Sequence, residues 1–409
     1  MVMTLRMKSS TRYAVRMDHV KPSAIRELQR YGADPDIISF GGGYPDAALF
    51  PVEQLNQIFE SALIAHGRDS LQYTGVSGMP RLREQIAARM TREGIACGAD
   101  NILILHGSQQ GLDLVGRMLI DKGDVVMTEN PTFLGALIAF NPYEPRYVAV
   151  PMDDDGMDME ALERALERSA GVKLLYTVPD FQNPTGVSMS LDRRKRLIKL
   201  ADRFDFVILE DSPYRELRYQ GNPIPSLKSL DADGRVIYLG SFSKILAPGL
   251  RIGWAVASEE FMQQLSLLKL AADTQCSTLN MFAVSLYLDN YDLDRHIESI
   301  RRVYQRKKDL MIDTIARTFP QCVSFTKPSG GLFTWLTFPE SFDAGRFMTE
   351  RAVPEAKVAY VPGTTFYPVR QEPNHARVSY ATQSDQAIVS GMCALGRLLT
   401  SALENPRKP

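Results

Sequence analysis

From about residue 100 onward, short apolar runs without internal alternation take turns with longer stretches that are apolar on one side only. The runs are NILILH (101–106), DVVMTE (124–129), VKLLYTV (172–178), FVILED (206–211), RVIYLG (235–240) and RIGWAVA (251–257). Helical periodicity marks 109–120, 159–168, 191–203 and 259–270. A strand with one wet face alternates apolar with polar residues, so continuous runs predict strands buried on both faces. Strands separated by helices predict a mostly parallel sheet with helices on either side, an α/β fold of three αβα layers.

After about residue 290 the pattern changes. A long polar-faced helix is predicted over about 294–318, followed by VSFTKPSGGLFTWLTF, which reads as two short strands around a Gly-rich turn. A helix near 343–351, a Pro/Gly loop (VPGTTFYP, 361–368), a strand in RVSYA (377–381) and a closing helix from Ser384 complete a smaller α+β domain. The expected division is an N-terminal arm over 1–45 that packs with the small domain, a large domain over 46–292, and the small domain over 293–409. There is no internal repeat and no low-complexity linker, so the parts are expected to pack closely.

Composition narrows the classes of function. Forty-seven Lys and Arg face 48 Asp and Glu, a net charge of −1, so no nucleic-acid partner is expected. Cys97, Cys276, Cys322 and Cys393 are scattered without a CxxC pair, and the five histidines lack HExxH spacing. Neither a disulfide framework nor a metal site is predicted, and a reducing cytoplasm is the expected location. The first residues carry Arg6, Lys8, Arg12 and Arg16 with no acid before Asp18 and no apolar core of a secretory signal after them. An arm that packs on the body or on a partner subunit is expected. Runs such as LGALIAF (134–140) are too short to span a bilayer, so no membrane association is expected.

In open α/β sheets, ligands bind beyond the carboxyl ends of the strands, so the residues just after each run carry the chemistry. NILILH is followed by GSQQG (107–111), where Ser108 and Gln109 at a helix start offer N–H groups and a hydroxyl to an anion. Taken alone, Ser108 is equally an ordinary helix cap and Asn183-Pro184 an ordinary turn. FVILED ends in Glu210 and Asp211, acids that need a cationic answer if buried, and Tyr214 lies three residues on. RVIYLG leads to Ser241, Ser243 and Lys244, with Arg251 nearby. Together these strand ends provide a phosphate cradle, an amide, a carboxylate, a phenol and a lysine. Pyridoxal 5′-phosphate has the three matching features: a phosphate, a pyridine nitrogen, and an aldehyde with which Lys244 can form a Schiff base.

The sequence resembles the fold-type I aminotransferases of class I/II. The resemblance rests on NPTG (183–186), DSPY (211–214), SFSK (241–244) and GLRIGW (249–254). It extends over nearly the whole chain through SAIREL (23–28), SFGGGYP (39–45), LQYTGVSG (71–78), GSQQGL (107–112) and RVSYA (377–381). These segments are most similar to the kynurenine and 2-aminoadipate subgroup, which also includes aromatic and branched-chain enzymes.

The resemblance implies roles. Lys244 would join the cofactor and then carry the proton, Asp211 would hold the pyridine nitrogen protonated, and Asn183 and Tyr214 would bond the ring oxygen. Ser108, Gln109, Ser241, Ser243 and Arg251 would hold the phosphate, joined by Tyr73 from a partner subunit in a homodimer with shared sites. Phe133 would stack on the ring where many relatives have tyrosine. Arg377 would grip the substrate carboxylate beside Asn183, and Gly43 and Tyr44 would line the substrate pocket. Arg26 matches a residue that meets acidic side chains in relatives, and is equally well a helix-surface charge. His106 reads as a supporting neighbour and DDDG (153–156) as a solvated turn.

The activity implied is transfer of an amino group from an aromatic, 2-aminoadipate-like or branched-chain L-amino acid to a 2-oxo acid such as 2-oxoglutarate or pyruvate. A β-lyase, racemase or decarboxylase on the same fold is the alternative. A ligand-sensing regulator would need a DNA-binding module ahead of SAIREL, for which 22 residues leave no room.

Overall fold

The computed structural model describes residues 13–20 and 31–404. All six apolar runs form strands of one sheet: β2 (Ile102–Leu105), β3 (Val125–Asn130), β6 (Val172–Thr177), β7 (Val207–Asp211), β8 (Val236–Ser241) and β9 (Gly253–Val256). Two further strands, β4 (Arg146–Asp153) and β5 (Gly156–Met157), extend one edge, giving the order β2-β9-β8-β7-β6-β3-β4-β5.

The pairs β3–β4, β3–β6, β6–β7 and β7–β8 are parallel, as the strand–helix alternation predicts. β9 runs antiparallel to both β2 and β8. Only residues 242–252 join β8 to β9, too few for the crossover helix that a parallel return needs. In the central strands the continuous hydrophobicity has the predicted cause, since residues of one strand enter different cores. Leu174 and Tyr176 of β6 join one core, Val172 and Leu175 the other, and Ile237 and Val236 of β8 divide in the same way.

The small domain holds an antiparallel sheet of β10 (Ser324–Phe325), β11 (Phe333–Thr337), β14 (His375–Ser379) and β13 (Val361–Pro362), in that order. The helix Leu293–Thr318 joins the two bodies: Ile297, Ile300 and Tyr304 enter the large-domain core, and Met311 and Ile315 the small one. The N-terminal strand β1 (Ile38–Ser39) pairs in parallel with β12 (Val358–Ala359), and Phe40 is fully buried in the small-domain core. The segment Asp385–Leu403 is long and apolar enough by composition to cross a membrane. Its Ile388, Met392, Leu395 and Leu399, spaced by three and four residues, are instead committed to the small-domain core.

Candidate active site

The carboxyl ends of β2, β6, β7 and β8 and the edge of the small domain surround a cavity of about 330 Å³. Ser108, Gln109, Phe133, Asn183, Asp211 and Tyr214 line it, together with Ser241, Ser243, Lys244, Arg251, Arg377, Gly43 and Tyr44. A larger cavity, about 670 Å³, lies near Asp180 and the segment after Tyr214. Its arginines are engaged by acids, with Arg215 and Arg218 meeting Asp180, which also holds the fully buried Arg194 behind the wall, and Arg89 meeting Glu216 and Asp294. The reactive groups sit in the smaller cavity.

At one end the groups suit a phosphate. Gly107 has φ of 73°, and a Cβ there would stand 2.6 Å from Arg251 Nη2, so glycine lets this guanidinium approach the start of the helix Ser108–Leu119. Arg251 Nη2 donates to His106 O at 2.8 Å. Ser241 Oγ donates to Ser243 Oγ at 2.8 Å and accepts from Ser243 N at 3.0 Å, so the two hydroxyls act as a pair. Helix N–H groups, two hydroxyls and a guanidinium are the donor set that a dianion requires.

Across the cavity, strand alternation separates the two acids that end β7. Glu210 points away and accepts from Leu227 N at 3.1 Å and Lys228 N at 2.8 Å, where it caps a short helix, Leu227–Leu230. Asp211 points inward. Its Oδ2 accepts from Tyr176 Oη at 2.9 Å, and its buried Oδ1 has no hydrogen-bond partner among the described residues. Burial pushes this carboxyl up to about 7, the Tyr176 hydrogen bond and the Lys244 charge opposing the rise. An unmatched buried carboxylate oxygen facing a cavity calls for a cationic N–H, and a protonated pyridine nitrogen is one.

Lys244 Nζ donates to Gly43 O at 2.9 Å. Burial, followed by the Arg377 and Arg251 charges, lowers its pKa to about 8, with Asp211 working the other way. A lysine in this range is partly neutral near physiological pH, as an amine nucleophile must be. Asn183 Nδ2 donates to Tyr214 Oη at 3.4 Å, and Asn183 Oδ1 accepts from Arg377 Nη1 at 2.9 Å, so one amide connects the phenol to the arginine. Burial raises the Tyr214 phenol above its usual value.

Arg377 lies on β14, fully buried between Phe333 (4.3 Å from the guanidinium carbon to the ring centre) and Phe366 (5.2 Å). Its Nη2 donates to Gly41 O at 2.8 Å, while Nε has no hydrogen-bond partner among the described residues. Burial lowers its pKa to about 10. Gly43 leaves room beside it, since a Cβ there would meet Phe333 at 3.5 Å and Arg377 Nη2 at 3.8 Å.

Phe133 and Gln109 stand on the cavity wall, where Gln109 Nε2 donates to Gly135 O at 2.8 Å. Tyr44 sits at the mouth, 50% exposed. Tyr73 is 79% exposed and does not line this chain's cavity. Arg26 lies outside the described residues. His106 is beside Asp273, 3.5 Å from Nε2 to Oδ2, and does not line the cavity. Sequence reading missed Tyr176, the hydroxyl that orients Asp211, because a tyrosine inside an apolar strand looks like core.

A mostly parallel αβα sheet with this donor set defines a pyridoxal-phosphate enzyme of fold type I. The chain belongs to the aminotransferase class I and II family, whose family model matches residues 35–392. An aromatic-amino-acid aminotransferase from Thermococcus litoralis is 41% identical over 390 residues, which cover 94% of this chain and 93% of that one. A kynurenine aminotransferase from Pyrococcus horikoshii, solved in complex with PMP and KYN, matches with a TM-score of 0.92 and 40% identity over 96% of this chain and 97% of that one. LysN, an alpha-aminoadipate aminotransferase from Thermus thermophilus solved with N-(5′-phosphopyridoxyl)-L-leucine, has a TM-score of 0.89 and 37% identity over 96% and 98%. The protein is therefore a transaminase with pyridoxal 5′-phosphate as cofactor, working on an amino acid and a 2-oxo acid. The lyase, racemase and decarboxylase alternatives are not favoured by these relatives.

Proposed function

We propose that the amino donor is an L-amino acid with an aromatic, 2-aminoadipate-like or branched side chain, and the acceptor a 2-oxo acid such as 2-oxoglutarate or pyruvate. One observation carries the site assignment: a partnerless carboxylate oxygen of Asp211, the Lys244 amine and the buried Arg377 guanidinium open on the same cavity. The substrate class draws its support from the relatives' aromatic, kynurenine and aminoadipate activities.

Bound pyridoxal phosphate supplies an electron sink that eases loss of the proton at the amino acid Cα. The chain's own residues do the rest. Asp211 would keep a proton on the pyridine nitrogen, and Asn183 and Tyr214 would donate to the ring oxygen. Ser108, Gln109, Ser241, Ser243 and Arg251 would hold the phosphate, and Phe133 would stack on the ring. Lys244, partly neutral near physiological pH, would hold the cofactor through its amine and would carry the Cα proton. Arg377 orients the substrate carboxylate, so that the bond to be broken is presented to Lys244.

The same reading makes the working form a homodimer in which Tyr73 serves the partner's phosphate site. In its support, three large apolar side chains are exposed in this region: Ile64 (79%) on the helix Val52–Ser70, and Leu71 (71%) and Tyr73 (79%) just after it. A reducing cytoplasm agrees with four free thiols, among them the buried Cys276.

Absorption spectra of the holoenzyme, taken with a panel of L-amino acids and then with 2-oxo acids, test the function. Aromatic and aminoadipate-like donors are expected to convert the visible cofactor band, and 2-oxoglutarate to restore it. A band indifferent to every donor of these classes overturns the substrate proposal. For Arg377→Lys, the KM for the amino donor is expected to rise roughly 10- to 100-fold, because an ammonium cannot make the paired N–H contacts of a guanidinium. Steady-state kinetics check it, and an unchanged KM removes Arg377 from carboxylate binding.

A further inference from the structure

Glu129, at the end of β3, is a buried acid for which the chemistry above has no use, and no cation pairs with it among the described residues. Its Oε1 accepts from Thr177 Oγ1 at 2.5 Å, both oxygens lie 3.3 Å from Val178 N, and Oε2 accepts from Gln182 Nε2 at 3.0 Å. Gln182 is also fully buried and uses its whole amide. Nε2 donates a second time to Pro131 O at 2.9 Å, and Oε1 accepts from Thr185 N at 2.9 Å and Thr185 Oγ1 at 2.8 Å.

This pair joins two walls of the site. Pro131 lies two residues before Phe133, and Gln182 directly precedes Asn183, whose amide reaches both Tyr214 and Arg377. A buried carboxylate without a counter-ion is a poor way to gain stability, and well-packed apolar residues would join β3 to β6 at least as well. Directed hydrogen bonds that fix the separation of two loops are what apolar packing does not provide.

We propose that Glu129 and Gln182 are positioning residues, a brace that sets the spacing between the Phe133 wall and the Asn183 wall of the cavity. The inference rests on that cavity being the aminotransferase site. Gln182→Leu keeps the bulk and removes the brace. Glu129→Gln is the conservative change: its amide oxygen can accept from Gln182 while its NH2 turns to the Thr177 hydroxyl, which then accepts.

The test uses the holoenzymes and two readouts: the KM for the amino donor, and the pH midpoint of the visible cofactor band without substrate. For Gln182→Leu, a roughly tenfold higher KM is expected from misplaced hydrogen bonds, together with a displaced midpoint as Asn183 leaves Tyr214. Glu129→Gln is expected within about threefold of wild type in KM, with the midpoint held. Wild-type values of both in Gln182→Leu overturn the proposal, and a fall in melting temperature alone would mark the pair as packing. Should Gln182→Leu not fold, Gln182→Glu is scored in the same way, since its Oε1 still accepts from Thr185 but nothing donates to Pro131 O. The midpoint needs no amino donor, so it judges the brace even where the substrate proposal fails.

Discussion

Lys244→Ala is expected to lose at least about 10⁴-fold in turnover, the upper range for removing one positioned acid–base group, because on the proposed reading the same side chain also attaches the cofactor. The cavity places Lys244 Nζ 2.9 Å from Gly43 O, and burial with the Arg377 and Arg251 charges holds its pKa at about 8. Two properties therefore rest on one nitrogen: a lone pair available near neutral pH, and reach to the reacting carbon. Lys244→Arg separates them, since a guanidinium keeps the charge but offers no free lone pair at any physiological pH, and it is expected to be as inactive as the alanine variant. Borohydride reduction followed by mass spectrometry gives the direct readout. The wild-type peptide containing Lys244 should gain the mass of the cofactor, and neither variant should. A Lys244→Ala protein that keeps the wild-type visible band and measurable turnover would overturn the assignment of this lysine.

How much of this was legible in the sequence depended on which physical signal each residue leaves. The six doubly buried strands were readable because a core on each face demands apolar residues in succession. β4 and β5 were not: in RYVAVPMD only Val150 is buried, as a strand near the sheet edge permits, and the run lacks the continuous signal. Lys244, Asp211 and Ser108 were readable because each polar group follows an apolar run at a carboxyl end. Glu129 gave the same signal, an acid closing DVVMTE, yet only the structure shows that it faces Gln182 rather than the cavity. Glu210 and Asp211 are adjacent and chemically alike in the sequence. The period of two along β7 sends one to a helix cap and the other to the active site. Arg377 stood out through the family resemblance alone, because its neighbours Phe333 and Gly41 come from distant segments that only the fold brings together. The role proposed for Tyr73 requires a second copy of the chain, and a single sequence carries no signal for such a contact.

Asp211→Asn is expected to bind cofactor with near-wild-type stability and to lose roughly 10³-fold in turnover, at the level of a buried charge removed from a site where charge develops. The geometry explains why a neutral isostere is so costly. Tyr176 Oη donates to Oδ2 at 2.9 Å, and in the variant this hydroxyl holds the amide oxygen in the same place. That orientation leaves the amide nitrogen where the partnerless Oδ1 now stands, facing the cavity. An NH2 in that position would donate to the pyridine lone pair and so favour the unprotonated ring, the reverse of the role proposed for Asp211. Among the protein's own groups burial pushes Asp211 up to about 7; a cationic ring nitrogen beside it would restore the carboxylate at lower pH, because opposite charges at contact favour each other's ionised form. Asp211→Glu keeps the charge and should recover part of the activity, limited by the longer side chain's fit. Tyr176→Phe frees the amide of Asp211→Asn to rotate, and in the double variant the loss should shrink. Single-turnover rates of Cα proton loss, measured with deuterated donor, separate this step from binding, and an Asp211→Asn enzyme with a wild-type rate would show that the ring nitrogen needs no carboxylate here.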